Sequence, residues 1–110
     1  MSKTFGLTLD LIDDPKLIAA YEEYHRSVPP AIVKSLYDAG ILFLDIYRWN
    51  NRLFMTMVTD DKFSFEKKKQ IDDSNPEVQT WENLMWTFQQ ALPGAKAGEK
   101  WQLMNQIFEM

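Results

Sequence analysis

The sequence predicts an α+β fold in which an antiparallel sheet carries helices on one face. Three observations support this prediction. Residues 4–11 alternate polar and apolar side chains with the period of a strand. Residues 41–49 and 52–59 are strand-like and are separated by two asparagines, which is typical of a hairpin turn. Helical segments lie before and after this hairpin, so the order is β, helices, β-hairpin, helices, β, the pattern of ferredoxin-like proteins.

Prolines mark the starts of the first two helices. Asp14 is suited to cap the first helix and Pro15 to occupy its first position. This helix is expected to end near Ser27, because a residue that precedes a proline is disfavoured in the α conformation. Residues 29–30 are both proline and open the second helix, which Gly40 is suited to end. The predicted apolar stripe of the second helix consists of Val33, Leu36 and Tyr37.

The second half of the chain predicts two more helices and a final strand. Residues 63–71 form a short helix whose basic run, 67–69, is expected to be solvated because acidic residues flank it. Residues 74–94 give the clearest helical pattern, which Pro93 ends, and residues 99–110 are predicted as the last strand. The apolar residues of the long helix recur at spacings of three and four: Val78, Trp81, Met85, Phe88 and Leu92.

Length and composition limit the functional classes. The 110 residues predict one domain, 1–110, with 45% hydrophobic and 25% charged residues. A net charge of −4 without a large basic patch argues against a nucleic-acid partner. The chain has no cysteine, so disulfides, thiolate metal sites and a cysteine nucleophile are excluded. No apolar run is long enough for a membrane span and no signal peptide is evident, so a cytoplasmic protein without a membrane partner is expected.

The strand at 41–49 also predicts self-association. Both alternating sets of its side chains are largely apolar, Ile41, Phe43 and Tyr47 on one and Leu42, Leu44 and Ile46 on the other. A sheet with one face in water should alternate more cleanly. Because the helices can cover only one face, we expect a homodimer that forms through the other face of the sheet.

The single histidine of the chain, His25, is the first candidate for chemistry. Tyr21 lies four residues earlier on the same helix, so the two side chains are neighbours. An imidazole can both give and take a proton near neutral pH, and a tyrosine hydroxyl beside it can hold a substrate oxygen. The structural alternative is a half-buried histidine at the end of a helix, which is the commoner case.

Three further residues are candidates for substrate contacts. Asp45 and Tyr47 lie two apart on a predicted strand and point to the same face. A carboxylate within an apolar strand requires a partner, which is either a substrate or a structural neighbour such as Arg48. Trp81 offers a flat face to a sugar ring, although its helical spacing equally suits the core. With one histidine and scattered acids, the sequence shows no zinc-ligand cluster, and its few glycines form no phosphate-binding loop.

These residues occur in segments that resemble the L-rhamnose mutarotase family over nearly the whole chain. The segments are YEEYHRSVPPAIVKSLYDAG, DIYRWNNRLFMTMVTDD, WENLMWTFQQALPG and GEKWQLMNQIFEM. The resemblance implies a small dimeric α+β barrel protein that interconverts the α and β anomers of a free sugar without metal or cofactor. In this family a tyrosine and a histidine of the first helix, a strand tyrosine and helix tryptophans line the pocket. By this match Tyr21 and His25 are the first-helix pair, Tyr47 is the strand tyrosine, and Trp81 belongs to the tryptophan helix.

Departures from the rhamnose-type pattern indicate the branch of the family that is associated with L-fucose. Pro29 and Leu44 replace aromatic residues, and Glu82 follows Trp81 where rhamnose-type members have a second tryptophan. The resulting hypothesis is that His25, assisted by Tyr21, opens and closes a 6-deoxyhexose ring. Asp45 and Tyr47 would then hold sugar hydroxyls and Trp81 the apolar face of the sugar, while either His25 or Asp45 remains open as the principal base.

Two alternatives keep the fold and change the function. One is a small monooxygenase or haem-degrading protein of the dimeric α+β barrel type. The other is a module that binds a sugar or metabolite without catalysis. Architecture does not choose among them, because one fold supports many activities.

Overall fold

One antiparallel sheet and four helices make up the protein, which is described by a computed structural model of residues 1–110. The elements in chain order are β1 Lys3–Leu11, α1 Pro15–His25, α2 Pro30–Asp38, β2 Ile41–Trp49, β3 Arg52–Thr59, α3 Phe65–Asp73, α4 Pro76–Trp86, β4 Gln89–Gln90 and β5 Gln102–Leu103. This order confirms the predicted α+β, ferredoxin-like fold.

The sheet has the strand order β2-β3-β1-β4, with β5 also paired to β1. Along one side, β1 pairs with β3 over almost its full length. Along the other side of β1 lie two short strands. Strand β5 pairs with Leu7 and Thr8, and β4 pairs with Asp10 and Leu11. Strand β2 therefore lies at the free edge of the sheet.

Helices α1, α2 and α4 begin where the sequence predicts, whereas α3 begins at Phe65, two residues later than predicted. The Asp14 carboxylate accepts the backbone N–H of Lys16 at 2.8 Å and caps α1, in which Pro15 is the first residue. Asn75 caps α4 in the same way, followed by Pro76. The turn between β2 and β3 places Asn50 at a φ of 51°, a left-handed conformation that asparagine tolerates.

One face of the sheet forms the core against the helices. Leu7, Leu9 and Leu11 of β1 and Leu53 and Met57 of β3 are buried on this face. On the opposite face the large apolar side chains are exposed: Phe43, Tyr47, Trp49 and Phe54.

A bulge near the start of β2 changes the predicted facing of that strand. The pairing with β3 shifts between Ile41 and Phe43, so Ile41 shares the helix-covered face with Leu44 and Ile46. The prediction that Ile41 lies on the same face as Phe43 and Tyr47 is therefore wrong.

Three other expectations differ from the structure. On α2 the buried residues are Ile32 and Ser35, whereas Val33 and Tyr37 are exposed. Of the predicted stripe, only Leu36 packs against the core, beside Ile32 and Ser35. Helix α4 ends at Trp86 because the following segment pairs with β1 as β4. The last strand contains only two residues, since β4 and β5 share one side of β1.

No helix combines the length and the apolar character that crossing a bilayer would require.

Candidate active site

A cavity of about 370 Å³ lies between the helices and the covered face of the sheet. This volume is within the range of about 300–1,000 Å³ that is common for small-molecule sites. All four helices contribute to the wall, and Leu44 and Ile46 of β2 form part of the floor. Tyr21, His25 and Trp81 all border this space, so the structure brings these three predicted site residues together.

The His25 ring is fixed by a hydrogen bond within α1. Its Nδ1 lies 2.8 Å from the backbone carbonyl oxygen of Tyr21. A carbonyl oxygen can only accept, so Nδ1 carries a proton and donates it. The neutral imidazole therefore has its lone pair on Nε2, which has no partner in the chain and is not sealed from solvent. His25 thus presents an unpaired basic nitrogen from a ring of fixed orientation.

Tyr21 is buried directly beside His25, with the two ring centroids 4.5 Å apart. Its hydroxyl oxygen accepts a hydrogen bond from Nε2 of Gln89 at 3.2 Å. Burial raises the pKa of the Tyr21 hydroxyl above its ordinary value, and the hydrogen bond from Gln89 opposes that rise. Near neutral pH the hydroxyl therefore keeps its proton and is a hydrogen-bond donor.

Two tryptophans form apolar walls of the cavity. The Trp81 ring on α4 meets the His25 ring edge to face, at a centroid distance of 5.6 Å. Trp101, just before β5, packs against both groups of buried core residues and also borders the cavity. Both rings are half-buried and can contact an apolar part of a ligand.

Charged groups from α3 and α4 complete the lining. Lys68 and Asp72 of α3 form an ion pair, and Glu82 of α4 lies at the same wall. The predicted solvation of the basic run is therefore wrong for Lys68, whose side chain is only 23% exposed. No three side chains of His, Cys, Asp or Glu converge as a metal-binding group.

Asp45 and Tyr47 do not lie in this cavity. They pair with Thr56 and Phe54 of β3, which puts their side chains on the open face of the sheet, and the Tyr47 ring stacks on Phe54. They border a second, open groove of about 860 Å³ at the free edge of β2, which His25 also reaches. Within one chain Asp45 and Tyr47 do not share the cavity that Trp81 borders, because Leu44 and Ile46 are the β2 residues that face the helices. They share the open groove with Tyr21 and His25 instead.

Four cavity residues are not among the site residues predicted from the sequence. Gln89 lies within the predicted long helix and Trp101 within the predicted last strand, and only the pairing of β4 and β5 with β1 brings them to the cavity. For Lys68 and Asp72 the spacing of four residues on a helix was available as a signal. That signal also fits Lys69 and Asp73 and does not indicate which pair faces inward.

Two curated proteins are similar to this chain in sequence. The chain is 46% identical over 104 residues to an L-fucose mutarotase of Xanthomonas campestris pv. campestris, covering 93% of this chain and 83% of the relative. A UPF0734 protein of Dictyostelium discoideum is 30% identical over 98% of this chain and 90% of its own length.

Solved structures show the same fold. The crystal structure of an L-rhamnose mutarotase from Formosa agariphila superposes with a TM-score of 0.71 at 21% identity over 98% of both chains. A dimeric ferredoxin-like protein from an uncultured marine organism gives 0.53 at 16% identity, over 97% of this chain and 90% of that one. The sequence model of the L-rhamnose mutarotase family matches residues 4–110. This chain therefore belongs to the L-rhamnose mutarotase family.

Proposed function

We propose that the protein accelerates the interconversion of the α and β anomers of L-fucose, with His25 as the acid–base group. The observation that carries this proposal is the unpaired Nε2 of a fixed imidazole at the wall of a largely apolar cavity. The sugar is proposed from the 46% identical relative, which is an L-fucose mutarotase.

The reaction needs one group that moves protons between two oxygens on the same carbon. Nε2 of His25 takes the proton of the anomeric hydroxyl, and as the C1–O5 bond breaks the imidazolium returns a proton to O5. The product is the open-chain aldehyde. Rotation about the C1–C2 bond presents the other face of the carbonyl, and the reverse transfers close the ring as the other anomer. General acid–base catalysis of this kind contributes about 10²–10⁴-fold.

Tyr21 and Trp81 have supporting roles in this proposal. The Tyr21 carbonyl fixes the tautomer of His25, and its protonated hydroxyl is available as a donor to a sugar oxygen. Trp81 packs on the apolar face of the sugar and its C6 methyl group. Asp45 is not proposed as the base, because it borders only the open groove and not the cavity that Tyr21, His25 and Trp81 share.

Exchange NMR on equilibrated L-fucose tests the proposal, with L-rhamnose and D-galactose alongside and buffer alone as the control. Exchange between the anomers that is faster than in buffer is expected, and fastest for L-fucose. A higher rate with L-rhamnose would move the protein to the other branch of the family. Binding without acceleration would favour the sugar-binding module.

We also infer that the open face of the sheet binds a second copy of the chain, as expected for a cytosolic homodimeric mutarotase. Phe43, Tyr47 and Trp49 are 68%, 60% and 77% exposed on this face, which is an unusual density of large apolar side chains in water. One of the structural relatives is itself a dimeric ferredoxin-like protein.

Sedimentation equilibrium tests this inference. A mass of twice the 13.0 kDa chain is expected for the wild type. Tyr47→Lys is expected to shift the protein toward the monomer. Tyr24→Lys is the control, because Tyr24 is also an exposed tyrosine, at 43%, but lies on α1 and borders neither the groove nor the cavity. A monomeric wild type would refute the inference.

A further inference from the structure

Helix α3 carries two lysine–aspartate pairs of identical spacing in very different surroundings. Lys69 and Asp73 are 2.7 Å apart, and their side chains are 76% and 57% exposed. Lys68 and Asp72 also form an ion pair, but their side chains are only 23% and 8% exposed. Of the two pairs, only the second borders the cavity that holds His25.

The Asp72 carboxylate has hydrogen-bonding capacity that the protein does not use. Oδ2 accepts a hydrogen bond from Nζ of Lys68, whereas Oδ1 accepts none within the chain. Oδ1 nevertheless remains accessible to solvent. Because the residue is otherwise buried and borders the cavity, the cavity is the space available to these free lone pairs. A carboxylate accepts about four hydrogen bonds, so most of the capacity of Asp72 is open.

The position of this carboxylate is fixed relative to the aromatic wall. The side-chain amide of Gln79 on α4 donates to the backbone carbonyl of Asp72 at 2.9 Å. This bond ties the end of α3 to the helix that carries Trp81. The charged group and the indole ring are therefore held in one rigid arrangement around the cavity.

We propose that Asp72, oriented by Lys68, accepts hydrogen bonds from the C3 and C4 hydroxyls of the sugar and selects for their configuration. The inference rests on the function proposed above, in which His25 occupies the C1 end of the ring. The C3–C4 edge is the part of a pyranose that is remote from C1, and its two hydroxyls are vicinal donors that one carboxylate can receive together. A sugar that does not present both donors leaves lone pairs of a buried carboxylate without a hydrogen bond, and such sites discriminate strongly.

The test compares Asp72→Asn with Asp73→Asn, which removes the same charge from the exposed pair on the same helix. Anomer exchange is measured against concentration for L-fucose and for 6-deoxy-L-glucose, its epimer at C4. Asp72→Asn is expected to raise the half-saturation concentration for L-fucose about ten- to a hundredfold, the equivalent of one hydrogen bond to a charged group. It is also expected to reduce the preference for L-fucose over the epimer, whereas Asp73→Asn is expected to change neither value.

The outcomes separate this inference from the proposed function. If the wild type is active and Asp72→Asn keeps both the half-saturation concentration and the sugar preference, the role of Asp72 alone is overturned. A wild type that accelerates exchange of no sugar would overturn the proposed function, and this inference with it. If Asp72→Asn does not fold, as judged by circular dichroism, Lys68→Met decides the question. This variant keeps the apolar stem of the lysine, and an unchanged sugar preference in it would overturn the proposal.

Discussion

Replacement of His25 by asparagine isolates its chemistry from its structural contacts. The amide nitrogen of asparagine can take the place of Nδ1 and donate to the Tyr21 carbonyl, which His25 contacts at 2.8 Å. The variant has no counterpart of Nε2, the atom assigned to proton transfer. Loss of general acid–base catalysis is expected to reduce the enzyme-dependent exchange rate by about 10²–10⁴-fold.

The expected cost in stability is small by comparison. The imidazole contacts two aromatic rings, Tyr21 at 4.5 Å and Trp81 at 5.6 Å between centroids. Each such contact contributes about 0.5–1.5 kcal/mol, so the free energy of unfolding is expected to fall by about 1–3 kcal/mol. Domains of this size are stable by about 5–15 kcal/mol, so the variant remains folded. His25→Ala also loses the hydrogen bond and is expected to cost about 1 kcal/mol more.

The assay combines anomer exchange by NMR with urea unfolding of the same samples. The two His25 variants are expected to lose the same activity while they differ in stability, and Tyr24→Phe on the same helix serves as the control that keeps both. Wild-type exchange rates in either His25 variant would refute the catalytic role. A loss of activity that follows the loss of stability across the variants would show a structural role instead.

Three further perturbations follow from the structure. The pKa of the Tyr21 hydroxyl is raised in the folded protein, so the contribution of this residue to stability is complete below about pH 10 and is lost as the pH rises through the pKa of the folded state. In urea unfolding from pH 9 to 11, the free energy of unfolding should therefore fall more steeply for the wild type than for Tyr21→Phe. Trp81→Ala removes a wall of the cavity and should raise the half-saturation concentration more than it lowers the limiting exchange rate, as concentration series will show. Gly40→Ala should lower the free energy of unfolding by about 1 kcal/mol or more in a urea titration, since Gly40 has a φ of +96° and a Cβ atom would lie 2.9 Å from the Asp60 carboxylate.

The parts of the fold that sequence predicts are those fixed by local chemistry. Asp14 with Pro15, and Asn75 with Pro76, determine where α1 and α4 begin, because side-chain capping and the fixed φ of proline act within a few residues. The end of α4 depends on a different kind of interaction. Phe88 continues the helical spacing of its apolar residues, but the backbone there leaves the helix so that Gln89 can pair with Leu11.

For the candidate site too, local contacts could be predicted from the sequence and long-range contacts could not. Tyr21 and His25 could be placed together from the sequence because four residues on a helix always bring side chains into contact. The face of the sheet that Asp45 occupies could not be predicted, since the face of a strand residue depends on which side of the sheet the helices cover. The two charged pairs of α3 show the same limit, as their sequences are equivalent and only the orientation of the helix distinguishes Asp72 from Asp73.

Strand β2 links the proposed chemistry to the proposed assembly. Leu44 and Ile46 face the cavity, while Tyr47 faces outward with the surface assigned to a second copy. Because the strand is a free edge, a partner on its open face would also lie beside the groove that reaches His25. An active monomer of the Tyr47→Lys variant would mean that one chain forms a complete site. An inactive monomer with an intact fold, obtained also with Trp49→Lys at a residue that does not border the groove, would mean that the second copy closes the groove around the sugar, and catalysis would then depend on protein concentration.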